Sequence, residues 1–335
     1  MRSLGVRRVA GAVVAATVCL GFALLLPGVS AASPGADGSG HGSPSPGPSP
    51  SPGPSPGPSP SPGPGPGPST GEYVALGDSY TAGPRIPEQN GQPPGCQRSD
   101  HNYPSLVQAE LRSPSFRDVS CTGAKTTEMR WSQLTRDGVN PAQLDALSQN
   151  TTLVTIGVGG NDIDFVEIVT TCSIKSQRDP NGAPCRDFYT QGGHDQLAER
   201  ITRTAPKVGE VLGEIRRRAP NARVLLVGYP TILPDSGPGC YPVVPFTPGD
   251  VEYLRQTTAA LNAMLVDQAR RAGVEFVDTY ASSVGHDICQ DTGVRWVEHL
   301  VPTSPAAPMH PNALGMRNSA NQVLAALHVT VLAGR

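Results

Sequence analysis

The sequence predicts an α/β fold in which a central parallel sheet is covered by helices on both sides. Short apolar runs rich in Val, Leu and Ile alternate along the chain with helical stretches. These runs are continuously apolar instead of alternating with polar residues, which is typical of strands buried on both faces. Repeated strand–helix–strand units place parallel strands side by side, with their crossover helices on the two faces of the sheet.

The predicted elements follow one another in regular order. Strands are expected at residues 74–76, 117–119, 153–158, 223–227 and 274–277, and helices at residues 103–111, 196–218, 250–272 and 313–327. The third helix has a start signal, because Thr247 can cap it and Pro248 suits its first turn. The Pro- and Gly-rich segments 84–100, 176–193 and 230–248 are predicted to be loops that wall the site.

The first 70 residues predict two segments ahead of the folded domain. Residues 1–31 combine three arginines, an apolar run and a small-residue cleavage site, the pattern of a secretory signal peptide. An uncleaved membrane anchor is the alternative. Residues 32–70 form a linker rich in Pro, Ser and Gly, with too few apolar side chains to fold. Residues 71–335 then form one domain of a secreted protein, which the linker can attach to the cell wall.

Six cysteines follow the signal segment: Cys96, Cys121, Cys172, Cys185, Cys240 and Cys289. An even number in an exported chain predicts disulfides, and the lack of Cys-x-x-Cys spacing argues against a metal cluster. Six cysteines allow about 15 pairings, among which the sequence alone cannot choose. We favour pairing in sequence order, since each bridge then closes one loop region between predicted elements.

Two motifs carry the groups expected to perform chemistry. Ser79, in Gly77-Asp78-Ser79-Tyr80, directly follows the first strand. Open α/β folds keep their sites at that sheet edge, so the Ser79 hydroxyl is a candidate nucleophile. His310 precedes the last helix, which we expect Pro311 to begin, and an ordinary pKa near 6.5 suits a general base. Taken singly, the first motif is also compatible with a turn, and the second with a surface or capping histidine.

Two further motifs offer hydrogen-bond donors. The stretch Gly157-Val158-Gly159-Gly160-Asn161-Asp162 follows a buried strand, and the Asn161 amide can donate to a carbonyl oxygen on which negative charge develops. Gly123, in the loop after the second strand, offers a backbone N–H that no side chain obstructs. Considered alone, each is also compatible with an ordinary glycine turn.

Taken together and in this order, the four motifs resemble the SGNH (GDSL) hydrolase family. The motifs are Gly77-Asp78-Ser79, Gly123, Gly160-Asn161-Asp162 and His310-Pro311-Asn312. The phrase Gly-Gly-Asn-Asp-Ile-Asp-Phe and the three cysteine pairs are similar to secreted actinobacterial esterases, lipases and phospholipases of that family. The resemblance covers about residues 73–327. It implies a flavodoxin-like three-layer α/β/α sandwich around the central parallel sheet.

The resemblance also implies a role for each motif residue. Ser79 would be the nucleophile, and His310 would be its general base and later its acid. The oxyanion hole would consist of the backbone N–H groups of Ser79 and Gly123 and the side-chain amide of Asn161. Acyl transfer needs such an activated hydroxyl and preorganised donors, so the chemistry of these residue types agrees with the family assignment.

One position departs from the family pattern. Family members usually have an aspartate three residues before the histidine, where this chain has Ala307. In secreted actinobacterial relatives that lack the acid, a main-chain carbonyl takes its place, so the Ala307 carbonyl is expected to orient the imidazole. The carboxylates of Asp278, Asp287 and Asp291 are the alternatives.

The expected activity is hydrolysis of carboxylic esters by a monomer, through an acyl-serine intermediate and without metal or cofactor. Phe165, Val166, Ile168 and Tyr229-Pro230 favour an acyl-chain substrate, as in a lipase, an esterase or a phospholipase A, with transient contact to a lipid surface. A formal net charge of −2 gives no reason to expect nucleic acid as a partner. The alternatives are a carbohydrate O-acetylesterase, which needs sugar-stacking aromatic groups, and a non-catalytic cell-surface binding domain.

Overall fold

A computed structural model describes residues 71–329 of the chain. Its strands are β1 (Glu72–Gly77), β2 (Ser115–Asp118), β3 (Gln133–Thr135), β4 (Gly138–Asn140), β5 (Thr151–Gly157), β6 (Arg223–Val227) and β7 (Glu275–Val277). Its helices are α1 (Ser79–Ala82), α2 (Tyr103–Leu111), α3 (Thr126–Arg130), α4 (Phe165–Arg178), α5 (Pro184–Tyr189), α6 (Gln196–Arg218), α7 (Pro248–Ala272) and α8 (Ala313–Ala326). The predicted signal and linker, residues 1–31 and 32–70, lie outside the described residues.

Five strands form one parallel sheet in the order β2-β1-β5-β6-β7. The order reverses at β1, because the chain leaves β1 toward β2 on one side and returns to β5 on the other. Open α/β sheets bind their ligands beyond the carboxyl ends of the strands at such a reversal. The crevice between the ends of β1 and β5 is therefore the expected place for a site.

Helices cover both faces of this sheet and complete a three-layer sandwich. Tyr73 and Ala75 of β1 face a buried layer that includes residues of α2 and α8. Val74 and Leu76, one residue out of step, face the opposite layer, which includes residues of α6 and α7. All four side chains are fully buried. The predicted α/β/α fold with a central parallel sheet is confirmed.

The long helices begin and end close to their predicted limits. The start signal of α7 works as expected, since the Thr247 side chain accepts a hydrogen bond from the backbone N–H of Asp250. At α8 the expectation about Pro311 is wrong, because the helix begins after it. Asn312 is the N-cap of α8, and its side chain accepts the N–H groups of Leu314 and Gly315.

The sequence analysis did not predict the short helices α1 and α3, the helices α4 and α5, or the antiparallel β3–β4 hairpin. Helix α5 and the end of α4 occupy much of segment 176–193, which was expected to be irregular. A distant group caps α5, since the Asp250 carboxylate of α7 accepts the backbone N–H groups of Cys185 and Arg186, each at 3.0 Å. A capping partner 65 residues away leaves no local signal in the sequence.

The six cysteines pair in sequence order, which is the arrangement we favoured. Cys96 joins Cys121, Cys172 joins Cys185, and Cys240 joins Cys289. The first bridge ties the segment before α2 to the loop after β2, and the second ties α4 to α5. The helices within residues 71–329 include none with both the length and the apolar character needed to cross a bilayer.

Candidate active site

Ser79 lies in the first turn of α1, immediately beyond the carboxyl end of β1. The strand ends at Gly77, where φ is 149° and an added Cβ would collide with the Thr81 side chain, so the turn requires glycine. Asp78 caps α1 by accepting the backbone N–H of Tyr80 at 2.9 Å. Together these constraints hold the Ser79 side chain at the sheet edge.

His310 meets Ser79 from the loop that precedes α8. Its Nε2 atom lies 2.7 Å from Oγ of Ser79, and its Nδ1 atom lies 2.7 Å from the carbonyl oxygen of Pro308. A carbonyl only accepts hydrogen bonds, so Nδ1 carries the proton and Nε2 is free to accept the Ser79 hydroxyl. This tautomer is the one that a general base for Ser79 requires.

The expectation that the Ala307 carbonyl orients the imidazole is wrong. That carbonyl accepts the backbone N–H of His310 at 3.2 Å, and the ring is oriented by Pro308 instead. The reason is the conformation of Met309, whose φ of 62° is left-handed and turns the Pro308 carbonyl toward the ring.

The aspartates considered as alternatives do not contact the imidazole within residues 71–329. Asp278 accepts the backbone N–H groups of Tyr280 and Ala281, and Asp287 accepts that of Cys289. Each of these carboxylates organises its own loop.

His310 is electrically neutral at neutral pH. Burial lowers the pKa of its imidazole from 6.5 to about 4, and the positive charge of Arg85 acts in the same direction. The hydrogen bond to the Pro308 carbonyl opposes this shift, because it favours a protonated Nδ1. The ring can therefore accept a proton at any pH well above 4.

Three groups that line the cleft at Ser79 or the groove next to it have an N–H available to a ligand. Within the described residues, the backbone N–H groups of Ser79 and Gly123 donate to no protein acceptor. The Asn161 amide nitrogen donates one hydrogen to the Ala124 carbonyl at 2.9 Å, and its second hydrogen stays available. Asn161 lines the same cleft as Ser79 and also a shallow groove with Gly123. An oxyanion between these groups would meet preorganised donors.

A buried tyrosine joins the turn at Asp78 and Ser79 to the loop that carries Gly160 and Asn161. The Tyr229 hydroxyl donates to Asp78 at 2.6 Å and accepts the backbone N–H of Gly160 at 2.7 Å. Asn262 of α7 holds the Tyr229 backbone through both its N–H and its carbonyl. Burial raises the pKa of Asp78 to about 7, against the opposing hydrogen bonds from Tyr229 and from Tyr80. The hydrogen bonds of the Tyr229 hydroxyl therefore fix the distance between the loop that carries Ser79 and the loop that carries Asn161.

A cleft of about 720 Å³, counted with its open mouth, leads from Ser79 into the protein. Its apolar lining consists of Ile163, Phe165, Ile168, Val169, Ile232, Leu233, Phe246, Leu254, Leu261 and Met309. The polar side chains on the lining include Ser79 and Asn161 and, on α7, Thr257 and Thr258. The cleft therefore combines a serine hydroxyl with a mostly apolar lining, which suits an acyl chain.

Some sequence expectations about the cleft need correction. Phe165 and Ile168 line it as expected. Val166 is 65% exposed and instead lines the shallow groove that contains Gly123. Of the three segments expected to wall the site, only 230–248 contributes side chains to the cleft. Its remaining wall includes Leu254 and Leu261, for which the sequence predicts only positions in a helix that covers the sheet.

The sequence analysis did not predict three groups that hold the site together. They are the Pro308 carbonyl, which contacts the imidazole of His310, and the hydroxyl groups of Tyr229 and Tyr80. The Tyr80 hydroxyl donates to the Met309 carbonyl at 2.6 Å, across 229 residues. The only sequence signal for Tyr80 was its position next to the candidate nucleophile.

A serine hydroxyl in contact with a histidine, at the carboxyl edge of a parallel sheet covered on both faces, is the arrangement that α/β serine hydrolases use. Residues 75–317 match the model of the GDSL-like Lipase/Acylhydrolase family. The chain belongs to this family and is a carboxylic ester hydrolase, so the family resemblance read from the four motifs is confirmed.

Named relatives agree with this assignment. Lipase 2 of Streptomyces coelicolor is 38% identical over 256 residues, which cover 76% of this chain and 84% of that protein. An esterase of Streptomyces scabiei is 29% identical over 288 residues, with 75% and 84% covered.

Two solved structures are similar to the chain. Phospholipase A1 from Streptomyces albidoflavus NA297 superposes with a TM-score of 0.64 at 26% identity, covering 77% of this chain and 99% of that one. An extracellular lipase from Streptomyces rimosus superposes with a TM-score of 0.61 at 25% identity, covering 76% and 99%.

Proposed function

We propose that this protein is a secreted lipase or esterase that cleaves acyl esters with a Ser79–His310 dyad. The observation that carries the proposal is the 2.7 Å contact between Oγ of Ser79 and Nε2 of His310 at the mouth of an apolar cleft. Secretion is supported by the signal pattern of residues 1–31. The domain of residues 71–335 then acts as a monomer, with residues 32–70 linking it to the cell wall.

Acylation begins when Nε2 of His310 takes the hydroxyl proton of Ser79. Oγ forms a bond to the ester carbonyl carbon, and the carbonyl oxygen becomes an oxyanion held by the N–H groups of Ser79 and Gly123 and by the Asn161 amide. Collapse of this intermediate breaks the bond to the alcohol oxygen, which receives the proton from His310. The acyl-serine remains.

Deacylation repeats these steps with water as the nucleophile. His310 takes a proton from the water as the water oxygen attacks the acyl carbon. The bond between that carbon and Oγ of Ser79 then breaks, Oγ receives the proton from His310, and the carboxylic acid leaves. The Pro308 carbonyl holds Nδ1 throughout but supplies no negative charge. It therefore stabilises the imidazolium less than a carboxylate would.

The substrate proposed for this site is an ester with an acyl chain of medium or greater length. Side chains such as Leu233, Phe246 and Leu261 can bury the chain, and each buried methylene contributes about 0.8 kcal/mol. A phospholipase A activity is the finer form of the same proposal. Its support is the apolar cleft together with the similarity to a structure named as a phospholipase A1.

A series of nitrophenyl esters from acetyl to palmitoyl tests this proposal. We expect kcat/KM to rise with chain length until the cleft is filled, because each added methylene leaves water. The Ser79→Ala variant, measured in parallel, should lose the activity for every ester. A strict preference for the acetyl ester would contradict the proposal and favour an O-acetylesterase.

We also propose transient contact with a lipid surface through the β3–β4 hairpin. Leu134 and Val139 are cross-strand partners, so their side chains share one face, and they are 84% and 54% exposed. On the hairpin's first strand, the Gln133 amide donates to the Thr122 carbonyl at 2.8 Å, next to Gly123. This exposed apolar pair lies on a hairpin that contacts the loop carrying Gly123. Its position supports docking of the protein on a lipid surface near the mouth of the cleft.

A further inference from the structure

Met309, just before the proposed general base, has a backbone conformation that needs outside support. Its φ of 62° is left-handed, a region that side chains other than glycine enter at a cost. Such a conformation persists only when its surroundings enforce it. The side chain is 3% exposed and lines the cleft, so Met309 is fixed on that side by packing.

Hydrogen bonds also hold both backbone polar groups of Met309. Its N–H donates to the Glu298 carbonyl at 3.1 Å, and its own carbonyl accepts the Tyr80 hydroxyl at 2.6 Å. The two anchors come from different parts of the chain. Tyr80 belongs to the nucleophile helix, whereas Glu298 lies in the loop region before α8.

The Glu298 anchor is rigid because its side chain sits in a fully bonded buried network. The carboxylate accepts hydrogen bonds from the Asn312 amide at 2.8 Å, from the Thr303 N–H at 2.9 Å and from the Arg295 guanidinium at 3.2 Å. Burial alone would raise the pKa of Glu298, but these hydrogen bonds lower it to about 2. The Glu298 N–H also donates to the His310 carbonyl at 3.0 Å.

Aromatic packing orients the side chain of Tyr80. Its ring lies 5.0 Å from the His310 ring, measured between centroids, and meets Tyr229 and Phe165 edge-on at 5.2 and 6.1 Å. Burial raises the pKa of Tyr80 far above its usual range, so the hydroxyl remains a donor. These ring contacts hold the side chain in the orientation in which its hydroxyl donates to the Met309 carbonyl.

We propose that Tyr80 is a positioning residue for His310. By holding the Met309 carbonyl, it keeps the Pro308 carbonyl against Nδ1 and so selects the tautomer that leaves Nε2 free for Ser79. The residue that follows the nucleophile thus does, through the backbone, part of what an aspartate does in a Ser-His-Asp triad. This inference rests on the proposed Ser79–His310 chemistry.

The Tyr80→Phe variant tests the proposal, because it keeps the ring and removes only the hydroxyl. We expect kcat for nitrophenyl butyrate to fall about tenfold, the upper range for one lost hydrogen bond, with KM within about twofold of the wild type. The ¹⁵N shifts of His310 should change from a single Nδ1–H tautomer to a mixture. Tyr253→Phe is the matched control, since this buried tyrosine donates at 2.8 Å to Asp195 instead.

A second variant tests the conformation of Met309 itself. Glycine adopts a positive φ without strain, so Tyr80→Phe combined with Met309→Gly should restore the single His310 tautomer. A wild-type kcat and one tautomer in Tyr80→Phe would overturn the proposal, and so would equal effects in Tyr253→Phe. The tautomer is measured without substrate. An inactive wild type with one Nδ1–H tautomer would therefore contradict the proposed function while leaving the positioning role supported.

Discussion

Oγ of Ser79 and Nε2 of His310 lie 2.7 Å apart, although 231 residues separate them in the sequence. The contact forms because β1 and the loop before α8 both end at the carboxyl edge of the sheet. On the far side of the imidazole, the acceptor is the neutral Pro308 carbonyl, 2.7 Å from Nδ1.

Esterase activity is expected to persist to an unusually low pH. Burial lowers the pKa of His310 to about 4, and the imidazole acts as a base only when it is unprotonated. Activity should therefore fall only as the pH drops through about 4, and not through 6.5. The measurement is kcat/KM between about pH 3 and 8, with circular dichroism as a control for folding. An acid limb near 6.5 in folded protein would contradict the assignment.

Asn161→Ala should lower kcat by about 10²–10³, because one donor to the oxyanion is lost. KM should change little, since the donor acts mainly in the transition state. Asn221→Ala is the control, because among residues 71–329 the side chain of this exposed asparagine hydrogen-bonds only to the Gln149 carbonyl, at 3.4 Å. A loss of less than about tenfold in Asn161→Ala would remove that side chain from the oxyanion hole.

Tyr229→Phe should destabilise the protein by about 1–3 kcal/mol. The variant leaves one oxygen of Asp78 and the N–H of Gly160 buried without their partner, and each such loss has a desolvation cost. Urea unfolding measures the change in the free energy of unfolding. Tyr280→Phe, which loses a surface bond of 3.4 Å to Asp235, should change it by less than about 0.5 kcal/mol. An equal change in the free energy of unfolding for the two variants would argue against a stabilising role for the Tyr229 hydrogen bonds.

Removal of the Cys96–Cys121 bridge should impair catalysis as well as stability. Cys121 is two residues before Gly123, and the Cys96 carbonyl accepts the Thr122 N–H at 3.1 Å, so the bridge holds the loop that carries Gly123, the proposed oxyanion donor. We expect the double serine variant to lose about 2–4 kcal/mol of stability, and kcat to fall even well below its Tm.

The comparison for this bridge is the double serine variant of Cys172 and Cys185, whose bridge closes the α4–α5 corner. It should lose stability but keep kcat at low temperature. Full activity of the folded protein after complete reduction would disprove the role given to the first bridge.

Replacing both Leu134 and Val139 with serine should weaken binding to phosphatidylcholine vesicles at least tenfold. Burial of one such side chain is worth about 1.5–3 kcal/mol, and every 1.36 kcal/mol is a factor of ten. Hydrolysis of soluble nitrophenyl butyrate should stay unchanged. The control replaces Val284 and Val294, both 44% exposed, and should bind vesicles like the wild type. Unaltered binding by the hairpin variant would exclude this docking face.

The parts that the sequence predicts well depend on local rules. Continuous apolar runs identify the buried strands, and the glycine at position 77 marks a turn that other residues cannot make. Because parallel strands end at a common edge, Ser79 and Asn161 could be placed together before any coordinates were known. The order of the four motifs then added His310 and Gly123.

The parts that the sequence did not predict depend on tertiary contacts. Which carbonyl faces His310 is decided by the left-handed conformation of Met309, and that conformation depends on Tyr80 and Glu298. Helix α5 is capped by a carboxylate from α7, so its own segment appeared irregular. The cleft residues of α7 could not be distinguished from ordinary core positions, since both are apolar at the helical period.

Labelling with a serine-directed phosphonate tests the central claim most directly. The oxidised, folded protein should take up one phosphonate per chain, on Ser79, as located by peptide mass spectrometry. The His310→Ala variant should react far more slowly, because its hydroxyl lacks a base. An unlabelled Ser79 in active enzyme, or an adduct on another residue, would contradict the account.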